Sequence, residues 1–339
     1  MLSQLKIPGT HNSGSYELTR NLSEIIYGNI KFLWNLSANT APANGQLPFN
    51  NDKISVGRIL LDYIMDTVLR ISISQSRTIR QQLDDGIRFF DLRIYYDSDG
   101  NFYIQHALRG PKLNDVLAQI RNFLDTHSTS GEVIFLSISH TNFATDPQVL
   151  PATVATIIQN YLKPYLYMPA KSLGIKNFDF QSLKDTTLSS ITTTTHLRRT
   201  SPKVIVLNTD NSDEYYYNDT VVNTRGFADS GRWGINSNGV NSVQELIELE
   251  SQGLKKNIKP MYQISWIQTP QIVDIIQNVI SHLSGNSPTI LLKQMAAETN
   301  SMLQQFLTNH TTNTFNLVTM DWYNVSSTIN PINVIIGLN

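Results

Sequence analysis

The stretch Gln81–His106, QQLDDGIRFFDLRIYYDSDGNFYIQH, decides the fold. Its Ile87–Tyr96 portion is apolar and aromatic with alternating character, which reads as a β-strand. Asp91 and Arg93 stand two apart on it, so both side chains leave the same face. An acid and a guanidinium on an otherwise apolar strand are costly to bury unless something uses them. Asp97-Ser98-Asp99-Gly100 reads as a turn, and Phe102–Gln105 as a short return strand ending at His106. Toward the start, Ile7-Pro8-Gly9-Thr10-His11-Asn12-Ser13 places a second histidine just beyond another short strand, expected at about Gln4–Ile7. Two histidines, an arginine and a carboxylate at strand ends are the groups that phosphoester chemistry employs.

Outward from this stretch, strands and helices alternate. Ser76–Asp85 reads as a helix feeding the Arg93 strand, and Leu113–Thr126 as an amphipathic helix with Val116, Leu117, Ile120, Phe123 and Leu124 on one side. Glu132–His140 is a nearly continuous apolar run that suits a strand buried on both faces. Val149–Leu162 reads as a helix, Lys203–Leu207 as a strand, Ser242–Gln252 as a helix and Met261–Trp266 as a strand. Helices are expected over Gln271–Leu283 and Met295–Thr308, before a last strand, Asn316–Met320, that ends at Asp321. Tyr215–Asn241 is polar and loop-rich. Between the first two strands a helix is expected over about Ile54–Ile71. Alternation of this kind predicts parallel β/α units, and the candidate residues fall at carboxyl ends of strands, where barrel enzymes keep their sites.

The 339 residues can bury one large core. A net charge of −1 argues against a strongly electrostatic partner, so nucleic acid is not expected. Charged residues are 16%, against about 25% in an average chain. Ser, Thr and Asn fill the gap, which suits a secreted or surface-exposed protein. The absence of cysteine excludes disulfides, thiol catalysis and Cys-based metal sites. No run of about 18 apolar residues exists, so no transmembrane helix is expected. No signal peptide is visible ahead of His11.

Taken together, IPGTHNS at 7–13, QQLDDGIRFFDLRI at 81–94, His106 with LRG at 108–110, GEVIFLSISH at 131–140, NLVTMDW at 316–322 and the terminal VIIGLN resemble the X domain of phosphatidylinositol-specific phospholipases C. The likeness is to the bacterial type and to the small X-domain-only proteins. It implies a single distorted TIM-type β/α barrel over residues 1–339, with an insertion at about 21–75. His11 matches the general base that deprotonates the inositol 2-hydroxyl, and His106 the general acid on the diacylglycerol oxygen. Arg93 matches the phosphate-binding arginine, Asp91 the carboxylate that pairs with the acid histidine, and Asp321 the carboxylate that orients the base histidine. Asn12 falls where the bacterial enzymes tend to carry Asp and the calcium-dependent ones Asn.

Physical chemistry suits these roles. An intramolecular hydroxyl is already near its phosphorus. Histidines titrate where two protons must move near neutral pH. A planar guanidinium binds phosphoryl oxygens bidentately. Asn12, His140, Arg109 and Trp233 are expected to contact substrate. Ser139-His140 and Val206-Leu207-Asn208 depart from relatives near the headgroup, so a phosphate-level mechanism is better supported than inositol specificity. A calcium site needs six to eight oxygens, and Arg93 would repel the ion, so no metal and no cofactor are expected. The expected partner is phospholipid at a membrane surface, met by a monomeric, secreted or peripheral protein. Two other readings stand beside this one: a catalytically silent X domain that binds phosphoinositide or docks a partner, and a metal-dependent glycerophosphodiesterase or sphingomyelinase D-like barrel. His127, His196, His282 and His310 lie in polar stretches and read as solvated.

Overall fold

The computed structural model describes residues 1–21, 23, 65–143, 150–167, 185–193, 200–208, 221–223, 227–229, 240, 242–257, 261–270, 277–278, 280–281, 284–286, 290–311, 315–325 and 330–339. Among them, the strands β1 (Ile7–Thr10), β2 (Phe89–Tyr96), β3 (Phe102–His106), β4 (Leu108–Lys112), β5 (Val133–Phe143), β6 (Lys203–Asn208), β7 (Val221–Asn223), β8 (Phe227–Asp229), β9 (Met261–Trp266) and β10 (Leu317–Met320) form one sheet. Its order is β7-β6-β5-β2-β1-β10-β9-β8, parallel throughout. The strands β3 and β4 extend antiparallel from β2.

That spatial order is the chain order bent into a ring, with the first strand lying between the second and the last. It is the order of a β/α barrel, open between β7 and β8 among the described residues. The helices that accompany the strands include α1 (Ile79–Asp85), α2 (Leu113–Thr126), α3 (Leu150–Leu162), α4 (Leu188–Thr192), α5 (Val243–Lys256), α6 (Leu291–Asn309) and α7 (Pro331–Ile336). The architecture is therefore an α/β, distorted TIM-type barrel.

Strand alternation divides the core in two. Phe90, Leu92, Ile94, Ile134, Leu136, Ile138, Val204, Val206, Ile264, Val318 and Met320 join the cluster that packs on the helices. Their neighbours along the strands, Ile7, Phe89, Val133, Phe135, Ile205, Leu207 and Leu317, form a separate cluster on the other face. Each such buried side chain contributes about 1.5–3 kcal/mol. Farther along that second face the buried residues turn polar: Asp91, Arg93, Ser137, Ser139, Ser265 and Thr319. One end of the barrel interior is an apolar plug, and the carboxyl end is a polar site.

Local signals fix the elements that feed this end. Thr78 caps α1 by accepting from the Gln81 N–H in a capping box, and Gly86 closes it with φ +107°, a conformation that favours glycine. Gly14 sits so close to β3 that a Cβ would lie 2.5 Å from the Ile104 side chain. Ser242 caps α5, and Asn330 with Pro331 starts α7.

The structure shifts several expected boundaries. β1 is Ile7–Thr10 rather than Gln4–Ile7, and Leu2–Gln4 forms a 3-10 turn. Pro8 lies within this central strand, where proline cannot donate to the ladder. Its carbonyl accepts from the Arg88 N–H, so its missing N–H lies on the β2 side, where pairing starts only at Gly9–Phe89. β4 contains Gly110-Pro111, which reads as loop, yet it pairs along β3. β7 and β8 lie in the polar stretch that carried no strand signal, and α7 had none either. The helix expected over Ile54–Ile71 is seen at 65–72, and its earlier part lies outside the described residues, as does most of Gln271–Leu283. His127 and His310 are not simply solvated: each is half-buried and stacks on a phenylalanine four residues earlier, Phe123 and Phe306, at the end of a helix. His196 and His282 lie outside the described residues. No helix among the described residues is long and apolar enough to cross a membrane.

Candidate active site

The ends of four strands converge. His11 follows β1 and Asp321 follows β10, whose last residues Thr10 and Met320 are paired, so the register itself makes them neighbours. The His11 N–H donates to the Met320 carbonyl at 3.1 Å, extending the ladder by one step. Asp91 and Arg93 come from the inner face of β2, and His106 ends β3.

His11 Nδ1 lies 2.9 Å from Asp321 Oδ1. Arg93 Nη2 lies 2.7 Å from His11 Nε2. A guanidinium only donates, so Nε2 accepts and the ring proton sits on Nδ1, facing the carboxylate. In this hydrogen-bond arrangement His11 presents its lone pair at Nε2, the nitrogen a general base would use.

Asp91 holds Arg93. Its Oδ2 accepts from Arg93 Nε at 3.3 Å and from the Asn12 N–H at 3.1 Å, and its Oδ1 accepts from Ser139 Oγ at 2.5 Å. Burial pushes the Asp91 carboxyl up, but Arg93, His11 and these hydrogen bonds outweigh it and hold the group at about 2. Asp91 and Arg93 are thus a buried, satisfied ion pair.

His106 faces His11 with ring centroids 6.1 Å apart and planes at 73°. Its Nδ1 lies 2.7 Å from the Ser72 carbonyl oxygen. A carbonyl only accepts, so Nδ1 carries the proton and Nε2 the lone pair. Burial, then the charge of Arg93, lower His106 to about 3, against the opposing pull of Ser72 and Asp91. The ring is neutral at neutral pH.

One short segment ties these ends together. The Ser72 carbonyl takes His106; the Ile73 carbonyl accepts from Trp322 Nε1 at 2.7 Å; the Ser74 carbonyl accepts from the Trp322 N–H at 2.7 Å. Ser74 Oγ accepts from Asn12 Nδ2 at 3.4 Å, and Gln75 Nε2 donates to the carbonyls of His11 and Met320, each at 2.9 Å. The backbone bends sharply beside each of three site residues. Asn12, Ala107 and Trp322, which directly follow His11, His106 and Asp321, have φ of 45°, 65° and 41° and are the non-glycine residues with positive φ among those described. Such corners cost about 1–2 kcal/mol for an L-residue and collect where geometry is over-determined by function.

The structure therefore brings together His11, His106, Arg93, Asp91 and Asp321, but with one rearrangement. Asp91 hydrogen-bonds Arg93, Asn12 and Ser139, whereas the Nδ1 of His106, expected to pair with Asp91, takes the Ser72 carbonyl. Asn12 is only 1% exposed, with its backbone N–H on Asp91 and its Nδ2 3.3 Å from His11 Nδ1. Arg109 is engaged elsewhere, by Asp97 at 2.5 Å, by Asp99 at 3.8 Å and over the Tyr103 ring, because β4 folds back along β3. His140 lies on β5 one residue past Ser139, and only its backbone is described; Trp233 lies outside the described residues. Among the described residues no group of three or more His, Cys, Asp or Glu side chains is arranged to hold a metal ion. Sequence reasoning missed Ser72, Ser74 and Gln75. All three are buried polar residues in a stretch, SISQ, that has no motif of its own, and they fall within the expected insertion at 21–75.

Residues 48–189 match the family model for the phosphatidylinositol-specific phospholipase C X domain. A human protein described as PI-PLC X domain-containing protein 2 is 32% identical over 142 residues, covering 41% of this chain and 38% of that protein. The mouse protein of the same description is also 32% identical over 142 residues, covering 41% of this chain and 34% of its own length. The match thus spans little more than a third of these relatives. A variant-surface-glycoprotein phospholipase C of Trypanosoma brucei brucei is 35% identical over 68 residues, 20% of this chain and 19% of that one. Among solved structures, the phosphatidylinositol-specific phospholipase C of Listeria monocytogenes superposes with a TM-score of 0.58 at 17% identity, covering 100% of this chain and 94% of that one. A Staphylococcus aureus phosphatidylinositol-specific phospholipase C variant gives 0.58 at 13% identity, with 100% and 93% covered. The X-domain resemblance therefore holds in sequence over residues 48–189, and the barrel of these phospholipases in fold over the whole chain.

Proposed function

We propose that this chain, built on the barrel of the phosphatidylinositol phospholipases C, is itself a phospholipase of that type, releasing diacylglycerol and cyclic inositol 1,2-phosphate. The observation that carries the reading is the linked chain Asp321–His11–Arg93–Asp91 with His106 facing it across 6.1 Å. His11 Nε2 takes the proton of the inositol 2-hydroxyl. The freed oxygen attacks the adjoining phosphorus, and the bond to the diacylglycerol oxygen breaks as His106 Nε2 delivers a proton to it. Arg93 transfers its Nη2 donor from His11 to a non-bridging phosphoryl oxygen, which both neutralises the growing charge and uncovers the base. Asp321 holds the tautomer of His11 and stabilises the imidazolium that forms. Asp91 fixes the plane of the guanidinium.

His106 needs a proton to act as the acid. Burial and the Arg93 charge hold it low, and an anionic phosphodiester against Arg93 offsets that charge and raises it. Catalysis on this reading needs no metal: the fixed guanidinium occupies the place beside the base where a divalent cation would bind phosphate, and it repels one. The protein works as a monomer on phospholipid at a membrane surface, secreted or peripheral. Residues 1–339 act as one catalytic barrel with an insertion near 21–75, whose last residues, Ser72–Gln75, buttress the site.

Phosphorus NMR of phosphatidylinositol vesicles incubated with the protein in excess chelator tests this. A cyclic inositol phosphate signal is expected from the wild type and not from His11→Ala. Absence of that signal, with other phospholipid headgroups equally uncut, would mean a silent X domain. Turnover that disappears with chelator would mean a metal enzyme.

A further inference from the structure

We propose that Gln75 is a positioning residue for the His11–Asp321 pair. The inference rests on the reading of His11 as the base. Parallel strands β1 and β10 stop pairing at Thr10–Met320, one residue before the two groups that must meet. Past that point the ladder has a single rung left, the His11 N–H on the Met320 carbonyl. The Gln75 carboxamide supplies another. Its Nε2 gives one hydrogen to the His11 carbonyl and one to the Met320 carbonyl, at 2.9 Å each. The residue is fully buried, and its own Oε1 has no hydrogen-bond partner among the described residues. A glutamine in this place forgoes its own acceptor and gives both hydrogens to carbonyls that an apolar side chain of the same volume would leave without them. It is well explained by the need for two hydrogens at one point, aimed at the carbonyls that precede Asn12 and Asp321. Those two peptide planes set the 2.9 Å contact between His11 Nδ1 and Asp321 Oδ1. The same segment carries Ser72 to His106, so one short strap aligns both histidines, with Gln75 responsible for the base.

Gln75→Met keeps the volume and removes both hydrogens. In nitrogen-edited NMR the Nδ1–H protons of His11 and His106 are identified by their loss in His11→Ala and His106→Ala. In Gln75→Met the His11 signal is expected to shift or exchange away while that of His106 stays. With phosphatidylinositol as substrate, kcat is expected to fall about 10–100-fold, the scale of a small misplacement of reacting groups, with KM unchanged. Adding His11→Ala to Gln75→Met is expected to cost no more than His11→Ala alone. A folded variant that keeps the His11 signal and the wild-type kcat overturns the proposal, as does loss of both histidine signals together, which is general loosening. If the wild type turns nothing over, the function assigned to His11 fails, and the NMR comparison still decides the positioning role in the same way. If Gln75→Met does not fold, Gln75→Glu, with the same shape and at most one proton to donate, is read by the same two measurements.

Discussion

Arg93 Nη2 donates to His11 Nε2 at 2.7 Å, the nitrogen that takes a proton in the proposed reaction. Arginine and histidine therefore guard one another, and in the proposed reaction an anion draws the guanidinium away. Arg93→Lys keeps the charge but loses the planar fork that spans His11 and Asp91 together. It is expected to lower kcat by about 10²–10³-fold, the scale of removing one transition-state donor. Steady-state kinetics checks this, and a Lys variant with more than half of wild-type kcat would sink the role given to the fork.

His106 stands at about 3 because of burial and of Arg93 beside it. An anionic phosphate raises it. The alkaline limb that reports loss of its proton should then lie at higher pH in kcat, which reads the complex, than in kcat/KM, which reads the free protein. His106→Ala is expected to abolish that limb and to lower kcat by about 10²–10⁴-fold. Coincident limbs in the two profiles would refute this assignment of the acid.

Acid stability follows from the same two groups. Asp91 is held at about 2, below the 3.8 of an ordinary carboxyl, so its stabilisation is full above the unfolded value and disappears as pH falls toward 2. The folded His106 value of about 3 lies below the ordinary 6.5, so the unfolded chain binds that proton first and stability drops as pH falls from 6.5 toward 3. Urea unfolding from pH 7 downward should show both declines, with His106→Ala flattening the upper window. Asp91→Asn leaves Arg93 buried without its counter-charge and is expected to cost about 3–5 kcal/mol at neutral pH. A loss under about 1 kcal/mol would contradict the burial of this pair.

Ala107 bends the chain just after His106 with φ 65°. Glycine adopts that conformation freely, whereas alanine pays for it with about 1–2 kcal/mol, partly offset by the greater freedom of glycine in the unfolded chain. Ala107→Gly should stabilise the fold by up to about 1 kcal/mol in thermal or urea unfolding. Clear destabilisation would show that the Ala107 methyl, packed among Val68, Leu69 and Leu108, matters more than the backbone corner.

By itself the sequence determined the kind of fold and the candidate reacting groups. Long elements with strong periodicity, such as Leu113–Thr126 and Met261–Trp266, fall where the pattern places them, because burial of a regular apolar stripe leaves little choice. Asp91 and Arg93 were legible from their i, i+2 spacing, and His11, His106 and Asp321 from their places at strand ends and in matching blocks. Tertiary structure alone decided who touches whom. It moved β1 to Ile7–Thr10, since register is set by β10 and β2 and not by local propensity. It turned Arg109 toward Asp97 and gave the Nδ1 of His106 to a backbone carbonyl, and carbonyls carry no sequence signal. Most of all it recruited Ser72, Ser74 and Gln75, an unmarked polar run far from His11 and Asp321 in the chain. Hydrogen bonds from such a run depend on where the barrel brings it, and that is fixed only once the first strand lies beside the last.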